Sequence, residues 1–513
     1  MNRLLIVIFL FIAGGSVQAQ KKSTKTPDPQ KYAATITTDD LSRHLYIIAG
    51  KEMQGRETAT EGQRKAAAYI EEQFKALGLQ PGNGNSYQQA FPVYKQEMTS
   101  TEFQLNGTAL QIQTDFIPFT LWNTSATSYF SELVFVGHGI VDKDVDDYKG
   151  LQVAGKAVLI MDGAPSGFKP SQSGFRSSAN VYGKIMAARS KGAAAVVIQA
   201  NALSRRMMNS GSTLFTELYK PDQYPNTYIV TEKVAKSIAG DQRWTAWKDA
   251  GKTAPVQGEV VKADVKLSYA ATVTVLSSTN VLGVIEGTDK KDEWLIVTAH
   301  YDHEGVKDGA IYYGADDDGS GTVSVIEMAE AFAKAKAEGK GPRRSVLFMT
   351  VSGEEKGLWG SEFYSDHPTV ALEKVTANLN IDMIGRIDTE RMSADTQNYV
   401  YVVGDDKLSS DLKPLSETMN SKYTKLMLDY KFNDPKDPNR IYFRSDHYNF
   451  ARKGIPIIFY YDGMLKADYH QPTDTPDKIN YPLLAKRAQL VFHTAWEMAN
   501  RDAMMKRDIP LAQ

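Results

Sequence analysis

The 513-residue chain contains no cysteine. That absence excludes disulfides, thiolate metal ligands, a cysteine nucleophile and a lipoprotein anchor together, so any metal must be held by histidine and carboxylate. Excess charge is missing too. Lysine plus arginine number 59 against 61 aspartate plus glutamate, which leaves no positive surplus for a nucleic acid or an anionic membrane as partner. Long apolar runs are confined to the start. There Arg3, the apolar run 4–13 and Val17-Gln18-Ala19 make the pattern of a secretory signal over 1–19, with a run too short to span a bilayer comfortably. The expected protein is exported, periplasmic or secreted, with no membrane span once the signal is removed.

What is present is a set of apolar strands that end in chemistry. Runs at 294–299, 345–351, 375–381 and 455–460 read as buried strands, and helical stretches such as 323–337 separate them. Continuous apolar strands alternating with helices imply a mixed, mostly parallel sheet with helices on both faces, an α/β fold. Such sheets bind ligands beyond the carboxyl ends of their strands. His300 follows the first run, Glu354 and Glu355 follow the second through Ser352-Gly353, Asp382 follows the third, and the loop carrying His470 follows the fourth. Imidazoles, carboxylates, one carboxylate able to bridge and one left free as a base suit two-metal hydrolysis of an unactivated amide.

Bland readings compete. Asp316, Asp318, Ser320 and Glu327 have the spacing of an EF-hand calcium loop, but the preceding stretch 308–314 contains two glycines and reads as loop where that motif needs a helix. Of the eight histidines, His44, His138, His367 and His493 read as surface or core positions. His303 and His447 read as supports close to the cleft.

Five motifs carry a resemblance: Thr298-Ala299-His300-Tyr301-Asp302, the stretch 314–321, the stretch 352–361, Asn380-Ile381-Asp382-Met383-Ile384-Gly385, and Asp468-Tyr469-His470. Together they resemble the M28 family of zinc-dependent aminopeptidases, in its secreted bacterial branch with an inserted protease-associated domain. The resemblance covers about 37–500. It implies two Zn²⁺ per chain, with Co²⁺ or Mn²⁺ as possible substitutes: His300 and Asp382 on one ion, Glu355 and His470 on the other, Asp317 bridging. Glu354 would be the general base. Asp302 would accept the second imidazole proton of His300, Tyr469 would donate to the oxyanion, and a strained, cis peptide would follow Asp317. The implied substrates are peptides with a free N-terminus. A carboxypeptidase or dipeptidase on the same scaffold, gripping a carboxylate through Arg386, Arg440 or Arg444, is the alternative; a non-catalytic peptide-binding protein is a further one.

The expected layout is a signal at 1–19, a linker at 20–33, an N-terminal peptidase part at 34–127, a β-rich insertion at 128–264, the catalytic part at 265–502 and a tail at 503–513. Aromatics at 459–461 and 442–443 are candidate walls for an apolar first side chain. Gly55-Arg56-Glu57 also resembles the family, without a chemical role that the sequence requires.

Overall fold

A computed structural model describes residues 28–174, 177–203, 212–218, 223–392 and 395–511. The expected signal lies outside the described residues. Strands Arg344–Val351, Lys290–His300, Val375–Ile381 and Ile457–Tyr461 lie side by side and parallel. Antiparallel neighbours complete the sheet, Tyr399–Val403 beside Ile457–Tyr461 and the end of Glu259–Ile285 beside Arg344–Val351, so it is mixed as well as mostly parallel at its centre.

Both faces are covered, and side-chain alternation along each strand divides the core in two. Leu295, Val297, Val346 and Phe348 pack toward the helices Glu61–Ala76, Gly321–Ala337 and Tyr481–Asn500. Ile296, Leu347, Met349 and Val351 pack on the opposite side with Tyr364 and Phe450, from helices Trp359–Asp366 and His447–Arg452. The central strands are buried along both faces; the polar face of Val375–Ile381 is buried and hydrogen-bonded, with Asn378 Nδ2 donating to the Thr298 hydroxyl, which donates to Asn380 Oδ1, and Asn380 Nδ2 donating to the Ser445 hydroxyl.

Helix Glu61–Ala76 is started by Thr60, whose hydroxyl accepts from the Gln63 amide. The described end of the expected linker is ordered: Gln30–Ala33 is a helical turn, and Tyr32 stacks on Trp496 at 5.5 Å between centroids. One long strand, Glu259–Ile285, pairs with Gln88–Leu105 along most of its length and joins the central sheet to a second strand set. That set comprises Ala126–Phe135, Ala157–Met161, Ala195–Gln199, Asn226–Val230 and, at its edge, Phe116–Pro118. Helix Val181–Ser190 covers one face, and Glu232–Ala239 with Asp241–Gly251 covers the other.

Candidate metal centre

His300 is the last residue of its strand, Asp382 follows Ile381 directly, and Glu354 and Glu355 stand three and four residues beyond Val351. Parallel pairing in register puts these strand ends together, with His300 opposite Val351 and Thr298 opposite Asn380. The site therefore forms at the carboxyl edge because four strands stop there.

Asp317 stands at the middle of it. Its Oδ1 is 3.3 Å from His300 Nε2, and its Oδ2 is 3.0 Å from His470 Nε2. His300 Nε2 is also 3.6 Å from Asp382 Oδ1, while His470 Nε2 is 3.0 Å from Glu355 Oε2. The structure thus brings together His300, Asp317, Asp382, Glu355 and His470 as two groups that share one carboxylate. The Asp317–Asp318 peptide is cis.

The neighbours of Asp317 do different work. Asp318 accepts main-chain N–H groups from His300, Gly321 and Met383, and Asp316 accepts from Gly385. Asp474 in turn accepts from the amides of Asp316 and Asp317. These buried carboxylates tie the strand ends to the loop and leave only Asp317 facing inward. The calcium-loop spacing does not assemble, since Glu327 turns away to face His44 at 3.3 Å.

Asp302 corrects one expectation in detail. His300 Nδ1–H donates to the main-chain carbonyl of Asp302 at 3.1 Å, and the carboxylate stands farther off at 3.8 Å. That carboxylate instead accepts from the Thr58 hydroxyl at 2.7 Å and the Glu354 amide at 3.2 Å. Asp302 therefore orients His300 through its backbone and the Glu354 loop through its side chain.

The electrostatics favour positive charge. Burial opposes protonation of His470, but Asp317 and Glu355 push its imidazole up to about 10. Burial likewise opposes charge on His300, and Asp382 and Glu354 still raise it well above its ordinary value. Glu354 moves the other way from a free carboxylate: burial first, then Glu355 and Asp382, push it well up despite His300. Among the described residues, the ion pairs of Asp317, Glu355 and Asp382 are all to histidine.

The donor set fits divalent metal. With Nδ1–H donating to Asp302, His300 offers its Nε2 lone pair toward Asp317 and Asp382, and both His300 Nε2 and Asp317 Oδ2 are buried without a hydrogen-bond partner. Nitrogen and carboxylate oxygens converging at such distances are the surroundings of a bound cation.

Beside this group opens a cleft lined by Asp317, Glu354 and Asp382 and walled by Met383, Ile441, Phe459, Tyr461 and Leu465, with Arg444 and Tyr469. Of the suggested aromatics, Phe459 and Tyr461 reach it, whereas Tyr460 packs in the opposite core layer. His447 stacks behind Phe459 at 4.6 Å, and its Nε2–H donates to the Tyr442 carbonyl at 2.8 Å. Tyr469 stacks on His470 at 3.9 Å, and its hydroxyl accepts from Arg444 Nη2 at 3.1 Å. Of the three arginines considered for a substrate carboxylate, only Arg444 lines the cleft; Arg386 pairs with Asp468 at 2.9 Å and Arg440 lies over the Phe443 ring.

Sequence reasoning left Arg56 without a role. It is fully buried, and its guanidinium donates to the carbonyls of Tyr301, Ile48, Tyr313 and Gly314, clasping the loop between His300 and Asp317. A charged residue inside a family motif was the available signal; its four acceptors are main-chain groups and leave no trace in sequence.

Residues 280–495 match the family described as "Peptidase family M28". A "Probable leucine aminopeptidase" of Arthroderma otae is 28% identical over 296 residues, 56% of this chain and 74% of that protein. A "Probable glutamate carboxypeptidase" of Arabidopsis thaliana is 30% identical over 152 residues, 29% of this chain and 20% of that one. Among solved structures, an aminopeptidase from Aneurinibacillus sp. strain AM-1 superposes with a TM-score of 0.57 at 21% identity, covering 95% of this chain and 99% of its own, and a zinc aminopeptidase from Bacillus subtilis with 0.53 at 20%, covering 93% and 99%; these two establish the shared fold. The matched segment, 280–495, holds every strand end of the metal centre, and over that segment the chain is similar to peptidase family M28.

Proposed function

We propose that this peptidase is an exported di-zinc aminopeptidase that removes N-terminal residues from peptides. The observation that carries the reading is the division of Asp317 between two imidazoles, His300 on one oxygen and His470 on the other, with Glu354 lining the cleft beside them. One metal would be held by His300 and Asp382, a second by Glu355 and His470, with Asp317 common to both. When bound, the ions lower the pKa of water and polarise the scissile carbonyl.

The chain's own groups do the rest. Glu354 takes the proton of the attacking water and returns it to the leaving amine, which its raised affinity for a proton suits. Tyr469, held by Arg444 and by its stack on His470, donates its hydroxyl hydrogen to the oxygen that gains charge. The substrate's free ammonium sits among Glu354 and Asp382. The apolar walls at Met383, Ile441, Phe459, Tyr461 and Leu465 accept the first side chain.

Export rests on the amino-terminal pattern of Arg3, the apolar run and the Val17-Gln18-Ala19 end. Residues 128–264 are read as a protease-associated insertion that restricts access to flexible peptide ends. In support, Leu214 of its strand Ser212–Phe215 packs against the same cluster of Ala59, Phe91 and Val93 as Trp359 and Phe363, which follow the Glu354 loop.

A carboxypeptidase reading keeps one specific support, the Arg444 guanidinium at the cleft. The experiment that separates the two offers one peptide pool, with free and acetylated N-termini, to the mature protein, to Glu354→Ala and to a chelated sample. Stepwise loss from free N-termini by intact metalloprotein alone is expected. Loss from C-termini would replace the proposal with carboxypeptidase, and no cleavage would leave peptide binding.

A further inference from the structure

We propose that His303 is a positioning residue that holds one oxygen of Glu355 and thereby limits that carboxylate to a single oxygen for metal. The inference rests on the two-metal reading above. His303 Nδ1–H donates to Glu355 Oε1 at 2.8 Å, while the other oxygen of Glu355 stands 3.0 Å from His470 Nε2. The two oxygens are thus divided between two histidines.

Distances separate the histidines' roles. His470 Nε2 lies 3.0 Å from both Asp317 and Glu355, as a donor sharing one centre with them would. His303 Nδ1 is 2.8 Å from Glu355 Oε1 and 3.9 Å from Asp317 Oδ2, so it faces the same cluster but stands closest to Glu355. A ring nitrogen 2.8 Å from a carboxylate oxygen stands at hydrogen-bond distance from it. With one oxygen engaged by His303, Glu355 would have one oxygen left to offer a cation, and a catalytic site also needs room for water or substrate.

The ring is held in place. It is fully buried, its amide donates to the Arg56 carbonyl, and it stands nearly perpendicular to His470 with centroids 5.7 Å apart. Gly314 makes the room: at φ 55° it carries no side chain, and an added Cβ would fall 2.5 Å from the His303 ring. The Gly-Ala-Asp-Asp motif therefore begins with glycine partly because an imidazole lies against it.

Two substitutions divide the possibilities. His303→Phe fills the ring's space and removes the N–H; His303→Asn keeps a donor near the Nδ1 position and gives up the ring. Zinc stoichiometry by elemental mass spectrometry, affinity by chelator competition, and kcat and KM should be measured for both and for the unaltered protein. Expected for His303→Phe is one of two zinc equivalents bound about 10- to 100-fold more weakly, the usual effect of losing a ligand's hydrogen-bond partner, with recovery in His303→Asn. The reverse pattern, normal zinc in Phe and weak zinc in Asn, would make the ring a packing element and overturn the proposal. Outright loss of one equivalent in both would make His303 a ligand and overturn it equally. Two equivalents in the unaltered protein with unaltered variants defeats this inference alone; fewer than two in the unaltered protein defeats the two-ion reading and this inference with it.

Discussion

Asp318 Oδ2 accepts the main-chain N–H of His300 at 3.1 Å. Its other oxygen takes the amides of Gly321 and Met383, at 2.9 and 3.0 Å, so one carboxylate joins the end of one strand, the residue after Asp382 and the start of a helix. Both oxygens must accept. In Asp318→Asn the NH₂ would face an N–H donor whichever way the amide turned, so Asn should be no better than Ala. Each variant should lose roughly 3 kcal/mol or more of stability, given about 1–3 kcal/mol for each buried donor left unpaired. Denaturant unfolding of the chelated protein measures this, and a stable Asn variant would refute it.

Arg56 predicts a second stability effect, transmitted to the site. Lysine at this position has a single ammonium and cannot reach carbonyls spread over Ile48, Tyr301, Tyr313 and Gly314. Arg56→Lys should cost about 2–4 kcal/mol, by the same cost of unpaired buried groups, and should also weaken zinc binding because the loop it clasps carries His303 and leads to Asp317. Wild-type zinc affinity in a folded variant would show that the loop needs no clasp.

Chemistry and binding should separate at Asp317 and Glu354. Glu354→Ala removes the proposed base, which makes none of the close contacts to histidine, and is expected to keep its metal while losing about 10² to 10⁴ in kcat. Asp317→Ala removes the carboxylate both groups share and should lose metal from both. Elemental analysis beside steady-state kinetics checks the pair; metal retained at full occupancy in Asp317→Ala would reject the bridging role.

How far the sequence reveals this arrangement depends on whether the partner of a residue is local. Strand ends were legible because apolar runs stop at polar residues, and His300, Glu355 and Asp382 sit at those stops. The role of Asp317 among three consecutive aspartates came from the family motif, since only the fold shows that Asp316 and Asp318 turn to amides of Gly385, His300 and Met383. His303 was read as a support near the cleft, but its partner and the role of Arg56 were hidden for the same reason: those partners lie 52 residues away at Glu355 and 245 residues away at Tyr301. The helical turn at Gln30–Ala33 was missed because a polar stretch with one buried tyrosine has too little periodicity to show.

His447 gives a pH prediction that needs no metal. Burial drives its imidazole down to about 3 from the ordinary 6.5, against the weaker upward pull of the Tyr442 carbonyl, so the folded protein keeps this ring neutral. In the unfolded chain it gains a proton below about 6.5. Between those values the unfolded state binds more protons, and stability rises with pH at up to about 1.4 kcal/mol per unit; acidification therefore removes it. From pH 6.5 to pH 4 the contribution amounts to about 3 kcal/mol. His447→Gln keeps an N–H able to reach Tyr442 but cannot be protonated. It should be less stable than the unaltered protein at pH 7, through loss of the stack on Phe459, yet should lose about 3 kcal/mol less on going to pH 4. Asp446, pushed up to about 7 by burial, titrates with the opposite sign and is present in both proteins, so it cancels in the comparison. Urea unfolding at the two pH values, with chelator throughout, reads the difference. Parallel pH profiles would mean that His447 takes its proton within the folded core, and the wall behind Phe459 would then be more open to water than its full burial implies.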